Sequence, residues 1–130
     1  MFQNPQQGQH LSVANTKFAF DLYKLHTSST NGNVFMSPLS ISVALAMTYI
    51  GAGGQTKSQM KDVLHFTHVE EDHLHEAFSD IQSALNKPSQ PYKLYMANRL
   101  FGEKSYSFLD EFLAAGRKHY SAELAAVDFR

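Results

Sequence analysis

The chain has 130 residues, the length of one domain, and its 11 basic and 12 acidic residues give a net charge of −1. This balance provides no general electrostatic attraction to nucleic acid or to an anionic membrane, so we expect neither as a partner. The absence of cysteine excludes disulfides, cysteine-bound zinc and thiol nucleophiles.

The amino terminus is polar and lacks the charged start and apolar core of a signal peptide. No apolar run reaches the length of a transmembrane helix. The cytoplasm is therefore the expected location, and release to the extracellular space would need an unconventional route. Residues 1–10 are expected to form a disordered lead-in, followed by one domain over residues 11–130.

The first regular element is predicted to be a helix, because apolar residues recur at every third or fourth position. One face of this helix would consist of Leu11, Ala14, Phe18, Leu22 and Leu25. The polar cluster from His26 to Gly32 ends the pattern and therefore the helix.

The most apolar stretch of the chain predicts a buried helix. Ser37 can cap its first turn through the hydroxyl group, and Pro38 suits the first helical position, where no N–H is needed. From Leu39 to Ile50 nearly every face is apolar, which indicates a helix that is buried all round. Gly51 stands where a left-handed residue commonly ends a helix.

Two further helices are predicted from capping-box spacings that begin at Thr56 and Thr67. The apolar stripe of the first, shorter helix consists of Met60, Val63 and Leu64. The core face of the second, longer helix consists of Leu74, Ala77, Phe78, Ile81 and Leu85. Pro88 stops this second helix, because the residue before a proline disfavours helical geometry.

After Pro91 the apolar period changes from helical to alternating, which predicts a strand over residues 92–101. Ser107 is expected to cap another helix, and residues 123–129 are expected to form a second strand. A helix of that length can serve as a crossover, so the two strands could be parallel neighbours. Because two strands alone do not form a stable sheet, the chain is expected to be a piece of a larger α+β fold.

The segment from Gly51 to Ser58 is an alternative candidate site, for the phosphates of a nucleotide. It matches the phosphate-binding pattern G-x-x-x-x-G-K-[ST] except that Thr56 replaces the second glycine. Binding would require a strand before Gly51 and a backbone that wraps the phosphates near Thr56, where a β-branched residue is unfavourable. Pro38 and the length of the apolar run favour a helix there, and the glycines would then end that helix.

Neither a metal site nor a hydrolytic triad is predicted, although the residue types for both are present. Four histidines lie close together in the sequence among acidic residues: His65, His68, His73 and His75. They lack the H-E-x-x-H spacing of a zinc site and suit a solvated acidic helix face. No G-x-S-x-G pattern marks a nucleophilic serine, and Ser37 and Ser40 lie in apolar surroundings. We therefore expect neither an enzyme nor a cofactor.

Six stretches occur in the order in which one protein family has them: residues 14–19, 33–41, 44–47, 51–56, 97–102 and 125–129. They closely resemble the amino-terminal signature of the serpins and cover nearly the whole chain. The residues from Asn98 to Tyr106, together with the start without a leader, look most like the ovalbumin-type, intracellular branch. The resemblance implies the amino-terminal helical portion of the serpin fold, with residues 92–101 and 123–129 as two strands of its large sheet.

The resemblance also implies an inhibitor of serine proteases that acts once. A protease cleaves an exposed loop near the carboxyl end of a serpin and remains covalently attached, while the loop inserts into the large sheet. Asn33, Ser37, Pro38 and Ser40 would belong to the shutter, the region under that sheet where its central strands part. Residues 33–36 would form a strand behind the sheet.

The chain departs from the family in its length, which is much shorter than that of a serpin. No residue corresponds to the reactive loop, so the chain alone is expected to inhibit nothing, and serine proteases would be partners of the full-length protein. A non-inhibitory serpin with a chaperone or storage role is the alternative. Residues 68–85 contain no lysine or arginine where some serpins bind heparin, so heparin is not an expected partner.

Overall fold

The computed structural model describes residues 4–29, 31–88 and 91–130. Within these residues, five α-helices and two short strands follow one another in this order: α1 (Pro5–Ser29), α2 (Pro38–Gly51), α3 (Gly54–Val63), α4 (Glu71–Leu85), β1 (Leu100–Glu103), α5 (Asp110–Tyr120) and β2 (Leu124–Val127). A 3-10 turn, Phe66–His68, connects α3 to α4. The predicted α+β class, with four successive helices before the first strand, is confirmed. Among the described residues, no helix combines the length and apolar character that crossing a membrane requires.

The core lies where α1 packs against α2 and α4, and where α5 packs against α2 and α4. Its largest side chains without exposure to solvent include Tyr49 from α2, Phe66 from the 3-10 turn and Phe78 from α4. The ring of Phe66 stands edge-on to both others, with centroids 5.8 Å from Tyr49 and 5.9 Å from Phe78. Edge-on aromatic pairs add to the free energy gained from burial. These three rings therefore join α2, the turn and α4 into one layer.

Helix α2 is confirmed, but it is buried on one side rather than all round. Ser42, Val43, Ala46, Met47 and Tyr49 are the buried residues of this helix. The opposite face, which includes Ile41, is exposed to solvent. The prediction of a left-handed Gly51 is also wrong. Gly51 is the last helical residue, and Ala52 follows it with an extended backbone.

Helix α1 begins at Pro5, so the predicted disordered lead-in over residues 1–10 is wrong where the structure describes it; residues 1–3 lie outside the described residues. Gln7 and Gly8 are buried in the first turns of this helix. The Gln7 side-chain oxygen accepts a hydrogen bond of 2.9 Å from the backbone N–H of Glu70. A polar residue is thus held in the interior because it satisfies an N–H at the start of α4.

The two predicted capping boxes are wrong, although both helices exist. Thr56 lies inside α3, whose preceding residue is Gly53, and Thr67 lies in the 3-10 turn. The residue before α4 is Glu70, and no side-chain cap bond is made at either helix start. At α4 the glutamine side chain from α1 binds the N–H of this residue instead, which the local sequence could not indicate.

The two strands are parallel neighbours, as predicted, and pair in the register Leu100↔Leu124 to Glu103↔Val127. The first strand is shorter than the predicted range 92–101 and begins eight residues later. A strand needs a partner along its length, and β2 offers one over four residues. The helix after β1 begins at Asp110, preceded by Leu109 rather than by the predicted cap Ser107.

Two phenylalanine rings lie between the sheet and α2. Phe108, in the segment between β1 and α5, covers Gly102 so closely that an added Cβ would lie 2.5 Å from its ring. Phe112 of α5 stacks on Phe108, with ring centroids 6.2 Å apart, and an added Cβ at Gly51 of α2 would lie 3.2 Å from its ring. Both glycines therefore provide space for an aromatic ring.

Candidate functional site

The start of α2 brings three of the four predicted shutter residues together. Ser37 precedes the helix with an extended backbone (φ −115°, ψ 92°), and Pro38 is the first helical residue. The Ser37 and Ser40 hydroxyl oxygens are 2.9 Å apart, so one hydroxyl donates to the other. The Ser37 side chain therefore does not cap a backbone N–H, contrary to the prediction; its carbonyl oxygen accepts from the N–H of Ile41 at 3.2 Å.

Asn33 is not part of this hydroxyl pair. It is exposed, and in the part of the chain that the structure describes it makes no hydrogen bond to Ser37 or Ser40. Residues 33–37 form no helix or strand, so the predicted strand at residues 33–36 is wrong here. Phe35, within this segment, is fully exposed. The described residues provide no neighbouring strand with which this segment could pair.

A groove with a volume of about 1180 Å³ lies beside the start of α2. Its walls include Phe20 and Tyr23 from α1, Pro38 and Leu39 from α2, and Ile81 from α4. None of its described lining residues carries a charge. The groove can therefore accept an apolar surface but supplies no charged acid or base for catalysis.

A buried hydrogen bond one turn further along α2 was not predicted from the sequence. The Ser42 hydroxyl, which is fully buried, donates to the side-chain oxygen of Asn15 on α1 at a distance of 2.6 Å. Both residues interrupt apolar faces, and that interruption was the available signal. Because a buried hydroxyl requires a partner, this bond fixes the first turns of α2 relative to α1.

A second polar cluster joins α2, α3 and α4. The Tyr49 hydroxyl donates to one carboxylate oxygen of Glu71 at 2.9 Å, and the Lys57 ammonium binds the other at 2.7 Å. Burial raises the pKa of the Glu71 carboxyl, but the hydrogen bonds from Lys57 and Tyr49 and the nearby lysine charges outweigh it and lower the pKa. Burial, with the hydrogen bond to Glu71 second, raises the pKa of the Tyr49 phenol.

The nucleotide hypothesis for the segment from Gly51 to Ser58 is contradicted. The residues before Gly51 form helix α2 rather than a strand, and α3 begins at Gly54. Two helices joined by two residues do not form the loop that wraps phosphate groups. Lys57, which would have bound phosphate, is instead paired with Glu71 on α4.

The four clustered histidines point in different directions. The His65 Nε2 atom lies 2.7 Å from a carboxylate oxygen of Asp21 on α1. The His73 ring lies 3.7 Å from the carboxylate of Glu70 and 3.5 Å from that of Glu76. His75 instead contacts Tyr120 of α5, and His68 is exposed. Within the described ranges 4–29, 31–88 and 91–130, no group of three or more histidine, aspartate or glutamate side chains is arranged to hold a metal ion.

Comparison with known proteins identifies the family to which the chain belongs. A family model described as "Serpin (serine protease inhibitor)" matches residues 13–130, which is nearly the whole chain. The chain belongs to the serpin family. The serpin resemblance of the six sequence stretches, and their likeness to the ovalbumin-type branch, are confirmed.

The relatives of this serpin chain include leukocyte elastase inhibitors from several vertebrates. It is 53% identical to the one from Bos taurus over 122 residues and 50% identical to the one from Equus caballus over 123 residues. It is 46% identical to the one from Homo sapiens over 123 residues. These alignments cover 93–94% of the serpin chain but 32% of each relative. The chain thus spans about a third of the length of the curated relatives it matches.

Proposed function

We propose that this chain is the amino-terminal part of an inhibitor of serine proteases that acts once, by covalent trapping and loop insertion. The observation that supports this is the identity of 53% and 50% to two leukocyte elastase inhibitors. Elastase-like serine proteases are accordingly the proposed targets of the complete protein. The chain itself would not be an enzyme. A serpin is cleaved by the protease as a substrate would be, and it then remains covalently attached to the protease instead of being released.

The chain alone is proposed to be inactive as an inhibitor. Trapping requires an exposed loop that a protease cleaves, and a sheet into which the cleaved loop inserts as a new strand. The two parallel strands of the chain would be part of that sheet. The reactive loop would belong to the remaining length of the complete protein, because the chain aligns with 32% of the length of its relative from Bos taurus.

The proposed role of the start of α2 is to support the place where the sheet opens. Pro38 fixes the first helical turn, and the hydroxyl pair of Ser37 and Ser40 can exchange its internal hydrogen bond for one to a moving strand. Asn33, four residues earlier, would join this group only in the complete protein. The pair is thus proposed to act in the conformational change rather than as a nucleophile.

The first test is an inhibition assay of the purified 130-residue chain against an elastase-like and a trypsin-like serine protease. We expect full protease activity and no detergent-resistant complex on a denaturing gel. The matched control is human leukocyte elastase inhibitor under the same conditions. A covalent complex between protease and the 130-residue chain would overturn the proposal that the chain alone is inactive.

The second test concerns the hydroxyl pair in the complete protein that contains this chain. Ser40→Ala should raise the fraction of inhibitor that is cleaved without trapping the protease, because sheet opening would lose its supporting hydroxyl. Ser58→Ala, which removes an exposed hydroxyl from α3, is the control and should leave this fraction unchanged. Equal fractions for Ser40→Ala and the unaltered protein would contradict the proposed role of the pair.

A further inference from the structure

His75 lies on α4 at the point where α2, α4 and α5 meet. Its ring centroid is 6.3 Å from that of Tyr49 on α2, 5.9 Å from that of His119 and 5.8 Å from that of Tyr120, both on α5. Its Nδ1 atom lies 2.7 Å from the Tyr120 hydroxyl oxygen. Both tyrosines are almost fully buried, at 0% and 4% exposure, so the imidazole fills an aromatic pocket.

We propose that this junction is an acid-sensitive contact: protonation of the His75 imidazole weakens the packing of α5, and of the strand β2 that follows it, against α2 and α4. The His75 contact lies outside the proposed shutter residues at the start of α2 and does not depend on the proposed inhibitory function. It uses one proton taken up from solvent and no other reactant.

The charges around His75 explain why a protonated ring would be unfavourable there. Lys57 of α3 and a protonated His119 of α5 repel it, whereas Glu71 of α4 attracts it. The carboxylate of Glu71 is already bound by Lys57 and by the Tyr49 hydroxyl, so the charge it offers is largely neutralised. The Tyr120 hydroxyl can bind either form of the ring but contributes no compensating negative charge.

The direction in which the pKa of His75 is shifted agrees with these contacts. Burial, followed by the charge of His119, lowers the pKa of His75 from its ordinary value of 6.5 to about 4. The neutral ring is therefore favoured in the folded chain, and the released ring takes up a proton more readily. The contact is at full strength above pH 6.5 and is lost as the pH falls towards 4. Between these values the opening equilibrium of α5 should rise by about a hundredfold.

The test measures amide hydrogen exchange of the 130-residue chain between pH 7.5 and 4, with protection corrected for the intrinsic exchange rate at each pH. We expect the amides of α5 to lose protection before those of α1. His75→Gln keeps a group that can bind the Tyr120 hydroxyl but cannot be protonated, so the selective loss in α5 should disappear. His26→Gln, an exposed histidine in the last turn of α1, is the matched control and should behave as the unaltered chain.

Two results would overturn the proposal. One is a selective loss of protection in α5 that persists in His75→Gln; the other is simultaneous loss of protection in α1 and α5 of the unaltered chain. If His75→Gln does not fold, the His75 ring can be titrated directly by NMR in the unaltered chain. A midpoint below 6 that rises in His119→Gln supports the proposal, whereas a midpoint of 6.5 or above, or one unaffected by His119→Gln, contradicts it.

Discussion

Phe78→Ala is expected to lower the free energy of unfolding of the chain by about 3–5 kcal/mol, the largest effect that we predict for a single side chain. Phe78 on α4 is completely buried. Its ring lies between Phe66, at a centroid distance of 5.9 Å, and Tyr120, at 6.1 Å. Removing the ring leaves a cavity and separates the packing of α4 from that of α5. Urea unfolding followed by circular dichroism measures the loss.

The matched control for this prediction is Phe35→Ala, the same substitution at a fully exposed position before α2. We expect it to change the free energy of unfolding by less than about 0.5 kcal/mol, since little apolar area leaves water there on folding. Equal losses for the two variants would show that Phe78 does not occupy the core position described.

Asn15→Ala is expected to lower the free energy of unfolding by about 2 kcal/mol, although Asn15 is only half-buried. The reason is its partner: the Ser42 hydroxyl is fully buried and donates to the Asn15 side-chain oxygen at 2.6 Å. Without that oxygen, the hydroxyl remains buried without an acceptor from α1. Thermal and urea unfolding of the variant measure this cost.

Ser42→Ala provides the comparison within the same hydrogen bond. It removes the buried polar group itself, and the half-buried Asn15 can bind water instead, so we expect a loss of about 1 kcal/mol or less. The double variant should resemble Ser42→Ala, because the buried hydroxyl is absent from both. The account of this pair is wrong if Ser42→Ala is the more destabilising of the two single substitutions.

Helices α1 and α4 could be predicted because each carries a periodic apolar face along its own sequence. Leu11, Ala14 and Phe18 of α1 and Leu74 and Phe78 of α4 follow that period and are buried. The same pattern overestimated the extent of burial. Leu25 continues the period of α1 but is 67% exposed. Periodicity indicates which face is apolar, whereas coverage depends on tertiary contacts.

The start of α4 and the length of the first strand could not be predicted, because distant residues determine them. Gln7 satisfies the N–H of Glu70 across 63 positions of sequence, and this bond replaces the predicted capping box. Strand β1 is limited to the four residues that β2 pairs with. The same distinction between local and distant contacts applies to the candidate site. Ser37 and Ser40 lie within one helical turn, so their proximity could be predicted from the sequence. The contacts of Ser42 and His75 join different helices and could not be predicted in this way.

The two stacked rings of Phe108 and Phe112 set the spacing between β1 and α2. One ring lies against Gly102 in the strand and the other against Gly51 at the end of the helix, and neither glycine leaves space for a further carbon atom without adjustment of a ring. A strand that slid or tilted at this position would have to break the ring stack or move α5 with it. The edge of the sheet and the helix that begins with Ser37 are therefore mechanically coupled through side-chain packing.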